Sequence, residues 1–370
     1  MARFPRIAII GGGPAGLTLA RILQTRGIAS TVYEADAHAL ERPQGGTLDL
    51  HADTGQRALR LAGLEAPFLA AARYGDQGMR LFDRDGTMLF DMPEAEGDRP
   101  EVDRTVLRRM LLDSLEPGTV RWGRKVTAIE AEGDRYAVVS EGERIEYDLV
   151  VGADGAWSRV RPLVSDAVPA YDGVTFVEMG IDDADARHPA VAGLVGHGKI
   201  FAFGENRTLI AQRNGGGHIR IYLALRVAED WDVLDGLLAR EAGPHLLALL
   251  DGFAPGLQDI VRAAEDWLVV RRIHALPAGH RWAHRPGVTL IGDAAHLMSP
   301  FGGEGVNLAM ADAADLAAVL AEGGDIAAFE AAMCARAEPA AAGAARGLAG
   351  AVSMHGAAHA LARFRAMMAA

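Results

Sequence analysis

A glycine-rich turn near the N-terminus is the first group of residues whose types and spacing could do chemistry. Residues 11–16 read GGGPAG and fit G-x-G-x-x-G, directly after the apolar run 7–10. Such a turn lets backbone N–H groups approach a pyrophosphate, whose charge the next helix N-terminus stabilises. Glu34 follows a second apolar run, at the spacing of a carboxylate that binds ribose hydroxyls. The pattern predicts a dinucleotide-binding unit whose contact residues are Gly11, Gly13, Pro14, Ala15, Gly16 and Glu34.

Two further motifs place an acid and glycines where an apolar strand gives way to a helix. Residues 292–307 read GDAAHLMSPFGGEGVN after the apolar run 288–291. Asp293 could hold a ribitol hydroxyl, and the glycine loop with its helix N-terminus could stabilise the N1–C2=O edge of a reduced flavin. Residues 153–161 read ADGAWSRVR. Asp154 of this motif either contacts the dinucleotide or supports the site through local hydrogen bonds.

In this order, the glycine turn, the D-G motif and the G-D motif resemble those of the class A flavoprotein monooxygenases built like para-hydroxybenzoate hydroxylase. The resemblance covers nearly the whole chain. Within that family the sequence looks most like the tetracycline-inactivating monooxygenases, through GGTLDLH at 45–51 and DAAHLM at 293–298. It implies an FAD cofactor reduced by NADPH or NADH. It also implies transfer of one oxygen atom from O2, through a C4a-hydroperoxyflavin, to an aromatic or polycyclic substrate of polyketide or tetracycline type.

The resemblance also implies roles for individual residues. Arg42 would lie where the nicotinamide donor approaches, although a solvated loop arginine is an equal alternative. The polar Gln, Arg and His of tetracycline-inactivating relatives are replaced by Glu178, Lys199 and Arg220, which either line the substrate pocket or lie on solvated sheet faces. Residues that would bind FAD beyond the glycine turn are Asp49, Arg104, Asp293, Gly303, Gly305, Val306 and Asn307, and the remaining pocket candidates are Pro300, Phe301 and Gly302.

The arrangement of apolar segments predicts an α/β fold in which a Rossmann-like FAD-binding domain is interrupted by an antiparallel-sheet substrate domain. We expect the FAD-binding domain to comprise residues 1–72, 95–162 and 276–323. Residues 73–94 and 163–275 would form the substrate domain, and 324–370 a C-terminal helical segment. Pro339 should kink or break that segment.

The charge and cysteine content of the chain limit which partners and which cellular location we expect. The 370 residues include 37 Lys and Arg against 49 Asp and Glu, a net charge of -12 that disfavours nucleic acids and anionic membranes. The single cysteine, Cys334, forms no intrachain disulfide, which suits a reducing cytoplasm. No signal peptide or apolar spanning segment is evident. We expect a cytoplasmic monomer or loose homodimer that binds a small-molecule substrate and O2 and uses no metal.

Three alternatives share parts of this pattern. Reductases and dehydrogenases of natural-product pathways use the same fold, and the motifs bind cofactor without choosing the reaction. Flavin-dependent halogenases usually carry a Trp-x-Trp-x-Ile-Pro stretch, whereas the five tryptophans here are scattered. A flavin-binding sensor without turnover would not need the G-D loop that faces a reduced flavin.

Overall fold

The structure is a computed structural model that describes residues 5–39, 41, 45–92, 98–231, 242–265 and 268–368. Arg42 lies outside the described residues. The strands are, in chain order, β1 (Ile7–Ile10), β2 (Ser30–Tyr33), β3 (Thr47–Asp49), β4 (Gly78–Asp83), β5 (Met88–Met92), β6 (Glu101–Asp103), β7 (Val120–Arg121), β8 (Val126–Glu132), β9 (Arg135–Ser140), β10 (Glu143–Tyr147), β11 (Leu149–Gly152), β12 (Ala170–Ile181), β13 (Gly198–Gly204), β14 (Arg207–Arg213), β15 (Ile219–Arg226), β16 (Val269–Ala275) and β17 (Val288–Leu290).

Helices alternate with strands near the N-terminus, and a run of helices follows the last strand, β17. They are α1 (Pro14–Thr25), α2 (Arg57–Leu61), α3 (Glu65–Ala71), α4 (Arg104–Asp113), α5 (Ala184–Arg187), α6 (Pro189–Val195), α7 (Ala242–Ala248), α8 (Pro255–Arg262), α9 (Asp293–His296), α10 (Gly305–Glu322), α11 (Ile326–Ala351) and α12 (Gly356–Met368). Within the described part of the chain, no helix is both long enough and apolar enough to cross a lipid bilayer.

A parallel sheet carries the glycine turn and the G-D turn. Its strand order is β17-β11-β1-β2-β7, and every pair in it is parallel. Strands β1 and β11 are buried along their whole length, as expected for parallel strands covered on both faces. Because the carboxyl ends of parallel strands meet at one edge, the loops after β1, β11 and β17 lie side by side.

The second sheet has seven strands in the order β16-β12-β15-β14-β13-β4-β5. Its pairs are antiparallel except β13 with β4, which run parallel. The sheet is thus predominantly antiparallel, as expected, with one parallel pair. The physical reason for that pair is that residues 95–162, which carry strands of the parallel sheet, separate β4 from β13. No hairpin joins them, so nothing imposes the antiparallel direction.

The two faces of the seven-stranded sheet have different characters. One face packs apolar side chains such as Val177, Ile221 and Leu223 beneath helices α5 to α8. Because alternate residues of a strand point to opposite faces, the neighbouring positions share the other face. That face turns toward the parallel sheet and carries Phe176, Glu178, Lys199, Gln212, Arg220 and Tyr222.

Pro339 was predicted to kink or break the C-terminal segment, and the structure shows no break, because helix α11 continues through it. Pro339 is exposed, and the backbone carbonyl that its missing N–H would bind can turn toward water, which makes the proline tolerable here. Cys334 is buried in the same helix. Helix α11 packs against residues 300–302, and α12 packs against β13 and β4. The C-terminal segment therefore contacts both sheet units.

Candidate functional site

The glycines of the N-terminal turn do two different things. Gly11 has φ +109°, and a methyl group there would lie 2.2 Å from the carbonyl oxygen of Ala153. A methyl group at Gly16 would lie 2.1 Å from the carbonyl oxygen of Gly11. At Gly13 the methyl position has no neighbour within 4 Å. Gly11 and Gly16 thus permit close backbone packing, while Gly13 leaves open space at the N-terminus of α1, where a pyrophosphate fits.

Glu34 lies directly beneath this turn. Its Oε2 accepts a hydrogen bond from the N–H of Gly12 at 2.9 Å, and its Oε1 accepts one from the N–H of Asp36 at 2.9 Å. The side chain is buried, and the guanidinium of Arg108 is 3.9 Å away. Each carboxylate oxygen can accept another hydrogen bond, so this fixed carboxylate could still bind ribose hydroxyls.

Asp293 begins α9, in the turn after β17, and protein atoms surround its carboxyl group. Burial raises the pKa of its carboxyl group, and the positive charges of His296 and Arg104 only partly oppose this effect. The residue is nevertheless exposed to solvent. A carboxyl group that is both surrounded by protein and exposed must line an open groove.

The glycine loop after α9 lies on the same groove. A methyl group at Gly305 would lie 4.0 Å from Oδ1 of Asp293, and one at Gly303 would lie 3.7 Å from both carboxylate oxygens of Asp49. Gly305 and Val306 are the first residues of α10. Asp49, Asp293 and a helix N-terminus therefore surround one space, as an FAD site requires.

Asn307 is buried, and its amide is used within the protein. Its Nδ2 donates to the carbonyl oxygens of Asp49 at 2.8 Å and Gly303 at 3.3 Å, and its Oδ1 accepts from the N–H of His51 at 2.9 Å. This arrangement holds strand β3 against the glycine loop. Asn307 therefore contributes to the groove by fixing the backbone that surrounds it.

Asp49 stays ionised in this surrounding. Burial by itself raises its pKa, but the hydrogen bond from His51 and the positive charge of Lys199 outweigh burial and hold the pKa below its usual value. His51 lies between two acids, with Nε2 3.5 Å from Asp49 and Nδ1 3.6 Å from Glu304.

Arg104 reaches the groove from the start of α4. Its backbone N–H donates to the carbonyl oxygen of Gly46 at 3.1 Å. Its side chain is exposed. Its charge partly opposes the rise in the pKa values of Asp293 and Tyr222, so it lies near both the cofactor turn and the sheet face.

The D-G motif supports the G-D turn. Asp154 Oδ2 accepts a hydrogen bond from the N–H of Arg159 at 2.6 Å. Arg161 is buried and donates to the carbonyl oxygens of Ala294 and Ala156, both at 2.8 Å. These contacts favour the local, supporting role for Asp154.

The three pocket candidates on the sheet share one face. Glu178 is 4% exposed and Arg220 is 9% exposed, so neither lies on a solvated sheet face. Glu178 accepts hydrogen bonds from Arg220 at 2.6 Å and from Arg271 at 2.5 Å. Burial raises the pKa of Glu178, but these two arginines outweigh it and lower the pKa overall. Lys199 places its Nζ 3.5 Å from the buried carboxylate of Glu101.

Aromatic rings join this polar face to the cofactor loop. Phe176 packs against Tyr222, with ring centroids 5.8 Å apart, and edge-on against Phe301, at 5.9 Å. Phe301 belongs to the short turn 300–302 that precedes the glycine loop. Burial and the charge of Glu178 raise the pKa of Tyr222, so its hydroxyl remains a neutral hydrogen-bond donor.

Sequence reasoning missed Glu101, Tyr222 and Arg271. Tyr222 lies directly across from Glu178 in the β12–β15 ladder. Alternation along β15 puts Tyr222 on the same face as Arg220, so strand periodicity was a usable signal for it. The local sequence gives no signal for either of the other two residues. Arg271 meets Glu178 from the neighbouring strand of the seven-stranded sheet, and Glu101 of the β3-β6 pair meets Lys199 of that sheet.

A groove thus runs between a dinucleotide-binding turn, with its G-D loop, and a wall of polar and aromatic side chains. This fold and site define a flavoprotein oxidoreductase. The chain belongs to the family described as the FAD binding domain, whose profile matches residues 5–227 and 267–325.

Known proteins agree with this assignment. Monooxygenase asqM of Emericella nidulans is 34% identical over 369 residues, covering 84% of this chain and 83% of that protein. HpxO of Klebsiella pneumoniae, solved with FAD and uric acid, is 25% identical with a TM-score of 0.80, covering 98% of this chain and 92% of that one. Tetracycline destructase Tet(55) shares the fold at 20% identity and a TM-score of 0.76, covering 100% and 96%. The chain is an FAD-dependent monooxygenase.

Proposed function

We propose that this protein consumes NADPH or NADH and transfers one oxygen atom from O2 to an aromatic or polycyclic substrate of polyketide or tetracycline type. The observation that carries the proposal is the groove in which Asp293 and the glycine loop face Phe176, Tyr222 and Lys199 of the sheet. Relatives named for such chemistry support it, since the similar proteins include monooxygenase asqM and a structure with bound uric acid.

In this proposal the FAD is held by the groove residues already described. The N-terminus of α1 at Gly13 binds the pyrophosphate, Glu34 the ribose, and Asp293 the ribitol. The N-terminus of α10 and the N–H groups of the glycine loop stabilise negative charge on the flavin. When bound, FAD supplies the electron transfer and oxygen chemistry. Arg104 adds a positive charge beside it, and Arg42 receives the nicotinamide donor.

The protein's own part is to position the substrate and exclude water. Phe176, Phe301 and the ring of Tyr222 offer flat apolar contact for a ring system. The Tyr222 hydroxyl and the Lys199 ammonium offer hydrogen bonds to substrate oxygens. Arg220 and Glu178 neutralise each other and keep this end of the wall rigid. The geometry favours a ring system that carries hydroxyl or carbonyl groups.

We also propose that residues 1–72, 95–162 and 276–323 form the FAD-binding unit, and that 73–94 and 163–275 form the substrate unit. The two sheets support this division, because the strands of the parallel sheet lie in the first set and those of the seven-stranded sheet in the second. A monomer or a loose homodimer suffices, since one chain supplies both walls of the groove.

The test is oxygen uptake and NAD(P)H oxidation by the FAD-loaded protein with a panel of hydroxylated aromatic and polycyclic ketones. A substrate should accelerate both rates together.

Lys199→Gln should raise KM for that substrate about tenfold, because it removes one charge-assisted hydrogen bond. Lys125→Gln is the matched control, since Lys125 is the only other lysine in the sequence and is exposed directly before β8. Equal KM values for the two variants would mean that Lys199 does not contact the substrate. Substrate consumption without oxygen uptake would favour a reductase.

A further inference from the structure

A buried charged network lies behind the G-D turn, on the side away from the groove. At its centre is Asp312 of α10, which is fully buried. Its Oδ2 accepts hydrogen bonds from the N–H of Gly292 at 3.0 Å and from Nε2 of His296 at 2.6 Å. Its Oδ1 accepts one from Arg336 of α11 at 2.8 Å. Three separate segments are thus joined through one carboxylate.

The contact with Gly292 fixes a demanding piece of backbone. Gly292 has φ +60° and ψ -141°, a conformation that side chains rarely permit. A methyl group there would lie 3.0 Å from the Cβ of Ala309. The next residue is Asp293, whose carboxyl group lines the groove. Asp312 thus holds Gly292, directly before Asp293, and His296, three residues after it.

A second carboxylate in the network offers a contrast. Asp315 lies one turn further along α10 and accepts hydrogen bonds from Arg336 at 2.6 Å and from Arg57 at 2.7 Å. No described contact joins Asp315 to the G-D turn. It shares the helix and the arginine partner of Asp312, yet it does not touch Gly292 or His296.

We propose that Asp312 is a positioning residue for FAD binding: through Gly292 and His296 it fixes the turn that presents Asp293. Arg336 makes the C-terminal helix α11 part of this support. The inference rests on the proposed role of Asp293 as a cofactor contact. It adds that the affinity for FAD depends on a carboxylate that does not itself reach the groove.

A double-mutant cycle on the full-length apoprotein tests this coupling. The FAD dissociation constant is measured by flavin fluorescence titration for wild type, Asp312→Asn, Asp293→Ala and the double variant, with the Tm of each apoprotein. Asp312→Asn should raise the dissociation constant at least about tenfold in wild type. It should change the constant less than about twofold when Asp293 is already alanine, because the two residues act as one unit. Asp315→Asn should stay within about twofold of wild type.

Each outcome has a separate meaning. An equal effect of Asp312→Asn in both backgrounds, or an equal effect of Asp315→Asn, would show general destabilisation and overturn the positioning role. An unchanged constant for Asp293→Ala alone would instead overturn the proposed FAD contact. If Asp312→Asn does not fold, His296→Leu takes its place in the same cycle. His296→Gln, which keeps a donor toward Asp312, should then restore most of the affinity, and failure to do so would also overturn the proposal.

Discussion

In the N-terminal turn, one glycine is needed for the fold and another for cofactor binding. Gly11 is required by the fold, because its φ is +109° and a methyl group would clash with Ala153. Gly13 has φ -82° and open space around it, so its side-chain position is free until a cofactor arrives. The same residue type therefore serves packing at one position and ligand approach at the other.

We predict opposite outcomes for alanine at these two positions. Gly13→Ala should leave the apoprotein Tm unchanged or slightly higher, because a glycine with negative φ accepts alanine without strain. It should weaken FAD binding at least about tenfold, since the methyl group fills space the pyrophosphate needs. Gly11→Ala should lower the stability of the apoprotein itself by at least about 2 kcal/mol. Thermal melts and FAD titrations check both variants, and normal FAD affinity in Gly13→Ala would place the pyrophosphate elsewhere.

How much of the candidate site the sequence indicates depends on how far apart the interacting residues lie along the chain. The GGGPAG turn and the G-D loop carry their information within a few adjacent positions, so the sequence alone indicated them. Asp312, Arg336 and Tyr222 act through contacts with distant segments. The bond from Arg271 to Glu178 spans 93 positions, and no local pattern could reveal it.

Helix α11 shows how an element can override a local signal. Proline inside a helix removes one hydrogen bond, and the sequence therefore predicted a kink or a break at Pro339. Burial of the faces around Met333, Ala337 and Ala341 holds the helix together on both sides of the proline. Tertiary packing outweighed the local preference, as it commonly does for helix propensities.

Pro339→Ala should therefore stabilise the protein. The exposed position lets alanine restore the missing hydrogen bond without repacking, for a gain of up to about 3 kcal/mol. The measurement is the apoprotein Tm, which should rise by a few degrees. Ala335→Gly, at another exposed position of the same helix, should lower it. A lower Tm for Pro339→Ala would mean that the proline shapes the helix in a way its neighbours require.

At the scale of the sheets, apolar patterns predicted the two kinds of sheet unit but not the direction of every strand pair. The alternation of apolar residues fits strands β12 to β15, whereas the parallel pairing of β4 with β13 depends on a connection through the other unit. Pairing between distant strands is decided by the whole fold. Domain boundaries follow from the same long-range connections, which is why their exact positions stay a prediction.

The stability of the whole molecule should depend on pH through the buried pair of His296 and Asp312. Burial alone lowers the pKa of His296, but the charge and hydrogen bond of Asp312 outweigh it and raise the pKa above its ordinary value of 6.5. The pair therefore contributes full stability below pH 6.5, and this contribution is lost as the pH rises through the folded value. The pKa of Asp312 is lowered, because His296, Gly292 and Arg336 outweigh burial, so its contribution is lost only in acid.

We expect the apoprotein Tm to fall as the pH rises from 6.5 toward 9, with a smaller fall in His296→Gln, which has no charge to lose. The advantage of wild type over the variant should therefore shrink with rising pH. Thermal melts at a series of pH values measure both profiles. Parallel profiles would mean that His296 does not change its charge between the folded and unfolded states in this range.

The most direct test of the central claim is the isotopic composition of the product formed under ¹⁸O₂. The FAD-loaded protein is supplied with NADPH and the panel compound that most accelerates oxygen uptake, and the product is analysed by mass spectrometry. The account predicts a product that carries one ¹⁸O atom, with one NADPH consumed per product. A product without ¹⁸O, formed while the substrate and NADPH disappear, would contradict the monooxygenase account and indicate a reductase on the same fold.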